Sequence, residues 1–139
     1  MTIEADKGYL ILANNTEETD YVACARVLAK SIKYYMPDAL VCLVTNNEVT
    51  DDIFDFVRPF PYETQGGFAD DWQAYKASPF HETIKIEADM IVTDSMDHWW
   101  TMLRHRDMVV TTGCRNQYNN RSAERFYRKI FDLNDLPDL

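Results

Sequence analysis

The side chains in this sequence best suited to chemistry are two carboxylates, Glu87 and Asp89, separated by Ala88. They follow a run of strand type, Thr83-Ile84-Lys85-Ile86, and lead into Met90-Ile91-Val92. Alternate side chains of an extended strand share a face, so the spacing predicts that Glu87 and Asp89 point the same way. Paired carboxylates at the C-terminal end of a strand supply the hard oxygen donors that a divalent cation such as manganese or magnesium prefers. Lys85 falls on the same face, while Ile84, Ile86, Ala88 and Met90 fall on the other. Two readings are open for Lys85: a partner for a surface acid on a strand with one wet side, or a side chain that reaches a cleft.

Carboxylates at a strand end need a sheet to hold them, and the hydrophobic pattern supplies one. Gly8-Tyr9-Leu10-Ile11-Leu12-Ala13 and Leu40-Val41-Cys42-Leu43-Val44-Thr45 are continuous apolar runs of the kind buried on both faces. Between them the pattern predicts a helix from about Thr19 or Asp20, either of which can cap it, to Met36 before Pro37. Its apolar stripe is Val22, Ala25, Leu28, Ile32 and Tyr35, with Arg26, Lys30 and Lys33 read as a solvated face. Thr50-Asp51-Asp52 should open a short helix, with acids where the helix dipole favours them. Phe56 to Phe60 reads as a third short strand or an extended segment, and Gly66-Gly67 as a flexible point in a loop. Residues 69–76 read as a helix stopped by Ser78-Pro79. After the strand with the carboxylates, residues 94–104 should be helical, 108–112 a strand and 122–131 a helix.

Strands alternating with helices predict an α/β fold with a mainly parallel sheet and right-handed crossovers. Ligands of such sheets bind outside the carboxyl ends of the strands, where Asn14, Asn15, Asn46, Asn47, Glu87 and Asp89 all fall. The runs 8–13 and 40–45 are expected as adjacent parallel strands, sharing one core with the helix through Leu10, Leu12, Leu28, Ile32, Cys42 and Val44.

At 139 residues and 46% hydrophobic, the chain is long and apolar enough to bury a core. A formal charge of −9 repels phosphate backbones and anionic lipid, so neither nucleic acid nor membrane is an expected partner. The three cysteines, Cys24, Cys42 and Cys114, show neither paired spacing nor zinc-ligand intervals, and Cys24 and Cys42 read as small core residues. No apolar stretch reaches the roughly 20 residues of a membrane span. The first residues lack a signal core, which predicts a cytoplasmic protein, in the host cytoplasm if the source is viral. No dinucleotide fingerprint, Walker loop or nucleophile elbow is present. His81, His98 and His105 are scattered and read as structural or surface residues. Trp72, Trp99 and Trp100 read as packing residues, with one of the adjacent pair partly exposed.

In this order, the elements resemble the N-terminal part of a GT-A fold, nearest to the glycogenin-like glycosyltransferases. Four segments carry the likeness: Leu12-Ala13-Asn14-Asn15 followed by Asp20-Tyr21; residues 25–32 with the strand 41–45; Tyr75-Lys76-Ala77-Ser78-Pro79-Phe80; and Ile84 to Val92 with the following Asp97 to Trp100. Together they span most of residues 8–112. Glu87-Ala88-Asp89 resembles the acidic motif of that family, with Glu87 in place of its first aspartate. The resemblance implies a three-layer α/β/α domain over residues 1–139 that binds a nucleotide-diphospho-sugar with manganese or magnesium for glycosyl transfer. It implies metal ligation by Asp89 and Glu87, and nucleotide contacts from Ala13, Asn14, Asn15, Tyr21, Lys76 and Glu87. The chain stops about where the family begins its acceptor-binding half, so that half is expected to be missing and no catalytic base or nucleophile is assigned. A half-length sheet should also leave an apolar face or edge that pairs in a homodimer.

Each of these residues also has a plainer reading. Asp89 suits a turn or helix cap, Tyr21 a core position at a helix start, Asn14 and Asn15 a strand terminus, and Lys76 an exposed helical position. Two other functions remain open: a non-catalytic remnant or interaction module, and a nucleotidyltransferase. The latter lacks a glycine-rich phosphate loop after the first strand.

Overall fold

The computed structural model describes residues 2–109. A sheet of four parallel strands, in the order β3-β2-β1-β4, organises them. The strands are β1 (Ala5–Leu12), β2 (Val41–Val44), β3 (Phe56–Arg58) and β4 (Phe80–Glu87). Helix α1 (Tyr21–Tyr35) joins β1 to β2, and a 3-10 segment (Gly67–Gln73) continuing into α2 (Ala74–Ala77) leads to β4. A second 3-10 turn (Asp97–Trp99) precedes α3 (Trp100–Leu103). The sheet belongs to a compact unit that closes at Thr101. The strand expected at 108–112 (Met108 and Val109 apart), the helix expected at 122–131 and Cys114 lie outside the described residues.

The α/β class with a parallel sheet is as the sequence predicts. Tyr9 to Leu12 pair with Val41 to Val44, so the two apolar runs are adjacent parallel strands. β1 begins earlier than its apolar run, because Ala5 and Lys7 pair with Phe80 and Glu82 of β4. Gly8 is required there: a β-carbon at this position would overlap the ring of buried Phe80.

The core has two sides instead of one. Leu10, Cys42 and Val44 lie on one face with Ala77 and Phe80, and Leu12, Phe56 and Phe60 pack against them. Leu28 and Ile32 of α1 are fully buried on the other face, where Tyr9 Oη donates to Met36 Sδ at 3.2 Å just past the helix. Strand alternation separates the two sets, since Tyr9 and Leu10 must point oppositely. Each such buried aliphatic side chain contributes roughly 1.5–3 kcal/mol.

Helix α1 starts where its caps place it. Asp20 Oδ1 accepts from the Ala23 N–H and Asn15 Oδ1 from the Val22 N–H, both at 2.9 Å. Its basic residues are not simply solvated: Arg26 pairs with Asp51 at 2.6 Å and Lys33 with Asp55 at 2.8 Å, while Lys30 is exposed. Those pairs explain why no helix forms at Thr50-Asp51-Asp52, which is irregular chain and a turn. Asp51 is held by Arg26, and Asp55 also accepts the Val41 N–H at 2.8 Å, so the acids tie this connection to α1 and β2.

Candidate functional site

β1 lies between β2 and β4, and the chain leaves it first to one side and later to the other. The carboxyl ends of β1 and β4 therefore border the crevice where parallel α/β sheets take ligands. Leu12 stands opposite Glu87 in the register, so Ala13-Asn14-Asn15 and Glu87-Ala88-Asp89 leave the sheet side by side.

Four asparagines build the β1–β2 side of this end. Asn14 Oδ1 accepts from the Asn46 N–H at 2.7 Å, and Asn47 Oδ1 accepts from the Asn15 N–H at 2.9 Å. Asn15 Oδ1 caps α1, and Asn46 Oδ1 accepts from the Phe60 N–H at 3.1 Å. Thr45 Oγ1 donates toward Asn14 or Asn47, at 3.3 and 3.2 Å. Every side-chain oxygen of the four is thus committed to the protein, and no side-chain amide nitrogen of theirs donates a hydrogen bond among the described residues. The surface left over is rich in N–H donors, which suits carbonyl or phosphate oxygens. Ala13 is buried, with its N–H on Val44 O at 2.9 Å, so it contributes backbone and not side chain. Tyr21, the first residue of α1, is half-buried beside this end.

On the other side of the crevice the structure corrects the expected geometry. β4 ends at Glu87; Ala88 and Asp89 form a turn closed by the Met90 N–H on Glu87 O at 3.2 Å. Glu87 and Asp89 are therefore not alternate residues of one continuous strand, and Met90-Ile91-Val92 is not its extension. The turn redirects the chain onto α1, where the Val92 N–H donates to Ser31 Oγ at 3.0 Å and buries Val92. Asp89 is exposed and forms no ion pair among the described residues.

Lys85 pairs with Glu87 and, at 2.9 Å, with Asp71 of the 3-10 segment. Burial works against its ammonium, but hydrogen bonds to Glu87 and Asp71 outweigh that effect and raise its pKa. The surface-acid reading of Lys85 holds, and one of its acids is an expected metal ligand. Among the described residues no group of three or more His, Cys, Asp or Glu side chains converges. Lys76 is not brought to this end: it lies on α2, which leads into the start of β4, with Nζ 5.4 Å from the Tyr75 ring centroid.

Other expectations divide. Cys42 is buried and Cys24 half-buried, both as free thiols. His81, His98 and His105 are exposed. Trp100 is buried and Trp99 half-buried, as adjacent tryptophans should be, but Trp72 is exposed and not a core residue. The sequence reading missed Asp70 and Gln73, which are buried and hold the loop before them. Asp70 accepts from the Gln65 and Gly66 N–H groups at 2.9 and 2.8 Å, and Gln73 Oε1 accepts from the Tyr62 N–H at 3.0 Å. Only their place beside Gly66-Gly67, a bend both glycines make with positive φ, hinted at this.

A cleft of about 470 Å³ opens at the opposite end of the sheet, lined by Lys7, Tyr9, Met36, Asp38, Asp97 and Trp100. Lys7 Nζ sits 5.4 Å from the Trp100 ring centroid, and Trp100 meets Tyr9 edge-on at 5.3 Å. This cleft is remote from the strand ends described above. No helix among the described residues is long and apolar enough to cross a membrane. The chain matches no protein-family model and no curated protein.

Proposed function

We propose that the carboxyl end of the β1–β4 crevice binds a nucleotide-diphospho-sugar together with a divalent cation, in a glycosyltransferase of GT-A type with the three-layer arrangement of that fold. The observation that supports this most is the topological switch at β1, which sets the donor-rich Asn14 and Asn15 beside the carboxylates of Glu87 and Asp89. Asn14, Asn15 and Tyr21 would face the base and ribose, and Glu87 and Asp89 the cation. The donor set fits manganese or magnesium in type, being oxygen only; in number, it leaves most positions to water and phosphate. Asp89 is available at once, whereas Glu87 must exchange Lys85 for the cation. A bound cation would supply Lewis-acid stabilisation of the departing nucleotide diphosphate. The protein's own part is to orient the base with amide donors and to place negative charge where the cation must sit.

Calorimetry with uridine diphosphate and manganese tests the reading. Each ligand should tighten the other by the same factor, because linkage is reciprocal. Asp89→Ala should abolish that coupling with the fold intact, and Tyr21→Ala should weaken the nucleotide without altering its dependence on metal. Absence of nucleoside-diphosphate binding with and without metal would sink it. The non-catalytic module would then be the better account, and one observation already favours that reading: the Lys85–Glu87 pair neutralises an acid the metal needs.

A further inference from the structure

Four aromatic rings stand out of the segment between β3 and β4: Phe68, and a contiguous group of three. Tyr62 and Trp72 stack with centroids 5.2 Å apart and planes 28° apart, and Tyr75 adjoins Trp72 at 6.4 Å and 39°. They are 50%, 52% and 70% exposed, so their faces are not used for the core. Beneath them the chain is fixed by the buried Asp70–Gln73 pair, whose side chains meet at 3.2 Å and hold the backbone of Tyr62, Gln65 and Gly66. Two buried polar side chains thus fix the segment that carries these three exposed rings. We propose that Tyr62, Trp72 and Tyr75 form a platform for a neutral hexopyranose unit of an oligosaccharide.

The chemistry selects that ligand. A pyranose presents a face of C–H groups that matches an aromatic plane, and a rim of hydroxyls that needs charged or amide partners. The rim here has charges of both signs: Asp71 adjoins Trp72 in sequence, and Lys76 lies over Tyr75. Bases of single-stranded nucleic acid also stack on such rings, but a chain of charge −9 repels their phosphates. Asp71 pairs with Lys85, which pairs with Glu87, so the Trp72 side of the platform is linked to the end of β4, while Tyr75 lies on α2, toward its start. Its assignment as the acceptor subsite rests on the proposed glycosyl transfer; its affinity for saccharide does not.

Saturation-transfer NMR with maltotriose and cellotriose at millimolar concentration, without nucleotide, reads the platform by itself. Transfer should reach the C–H protons of at least one trisaccharide. Trp72→Ala should weaken binding about tenfold, in keeping with the loss of one aromatic stacking partner. Tyr62→Ala should weaken it too, because the Gln73 bond is to the Tyr62 backbone and survives the change. Uridine diphosphate and manganese isotherms should be unchanged in both variants. Saccharide binding without nucleotide binding would uphold the platform and reject the glycosyltransferase. No transfer to either trisaccharide, or transfer persisting undiminished in Trp72→Ala, overturns the platform. So does a dimer in sedimentation that Trp72→Ala converts to monomer, which would make these rings a contact between copies.

Discussion

Lys85 and Glu87, two positions apart on β4, form an ion pair at the end of the strand, so Glu87 already holds a cation belonging to its own chain. Any metal at this end competes with that ammonium. Lys85→Met should therefore strengthen the coupling between manganese and uridine diphosphate, by severalfold in calorimetry. Its cost in stability should be about 1 kcal/mol or less, because the pair is only partly buried. Unchanged or weaker coupling would place the cation away from Glu87.

Gly8 sets the distance between β1 and the start of β4. Gly8→Ala brings a methyl against the Phe80 ring, which is itself buried. Overpacking of this kind costs about 1–3 kcal/mol, and urea denaturation should show a lowered midpoint. The double change Gly8→Ala with Phe80→Leu should recover part of the loss, which a purely conformational effect of alanine would not allow.

The strands β1 and β2 and helix α1 were legible because their signals are local: uninterrupted apolar runs, Asp20 at a cap position, Pro37 past the end. The missing helix at Thr50 was not legible, since Arg26 and Lys33 claim Asp51 and Asp55 from far away in sequence. A strand pattern through Val92 likewise gave no sign of the turn at Ala88-Asp89. The chain beyond that turn is held by a contact remote in sequence, the Val92 N–H on Ser31 Oγ. At the candidate site, the asparagines and carboxylates were recognisable by type and position. The Lys85–Glu87–Asp71 arrangement and the exposed Trp72 required the packing of the 3-10 segment on the sheet.

Gln73 is fully buried, with its Oε1 on the Tyr62 N–H and its Nε2 toward Asp70 and the Glu63 carbonyl. Gln73→Ala leaves the Tyr62 N–H and Asp70 without this partner, and should cost about 1–3 kcal/mol. Gln73→Glu should cost more, because a buried carboxylate would face Asp70. Thermal denaturation of the two variants checks the order.

Burial pushes the Cys42 thiol up to about 12, with Arg58 opposing and Glu4 adding to the effect. A raised pKa means that the folded state keeps its proton where the unfolded chain has lost it. Stability from this thiol is thus fully present below the ordinary cysteine value and is lost as pH rises from there toward about 12. Cys42→Ala should flatten the decline of stability with pH over that window. In native protein near neutral pH, Cys42 should resist iodoacetamide while half-buried Cys24 reacts faster, as peptide mapping would show.

β1 acquires its second neighbour late. Ala5 pairs with Phe80 and Leu12 with Glu87, so one flank of the central strand has nothing to bind until β4 has been synthesised. At translation speeds of about 5–20 residues per second, that interval is on the order of several seconds. Through it, Tyr9-Leu10-Ile11 is an open apolar edge on a nascent chain, with β2 its earlier partner. The order of the strands in the sheet thus makes the period of synthesis the time at which this protein is most exposed to mispairing, and gives a chaperone at the ribosome a defined segment to shield.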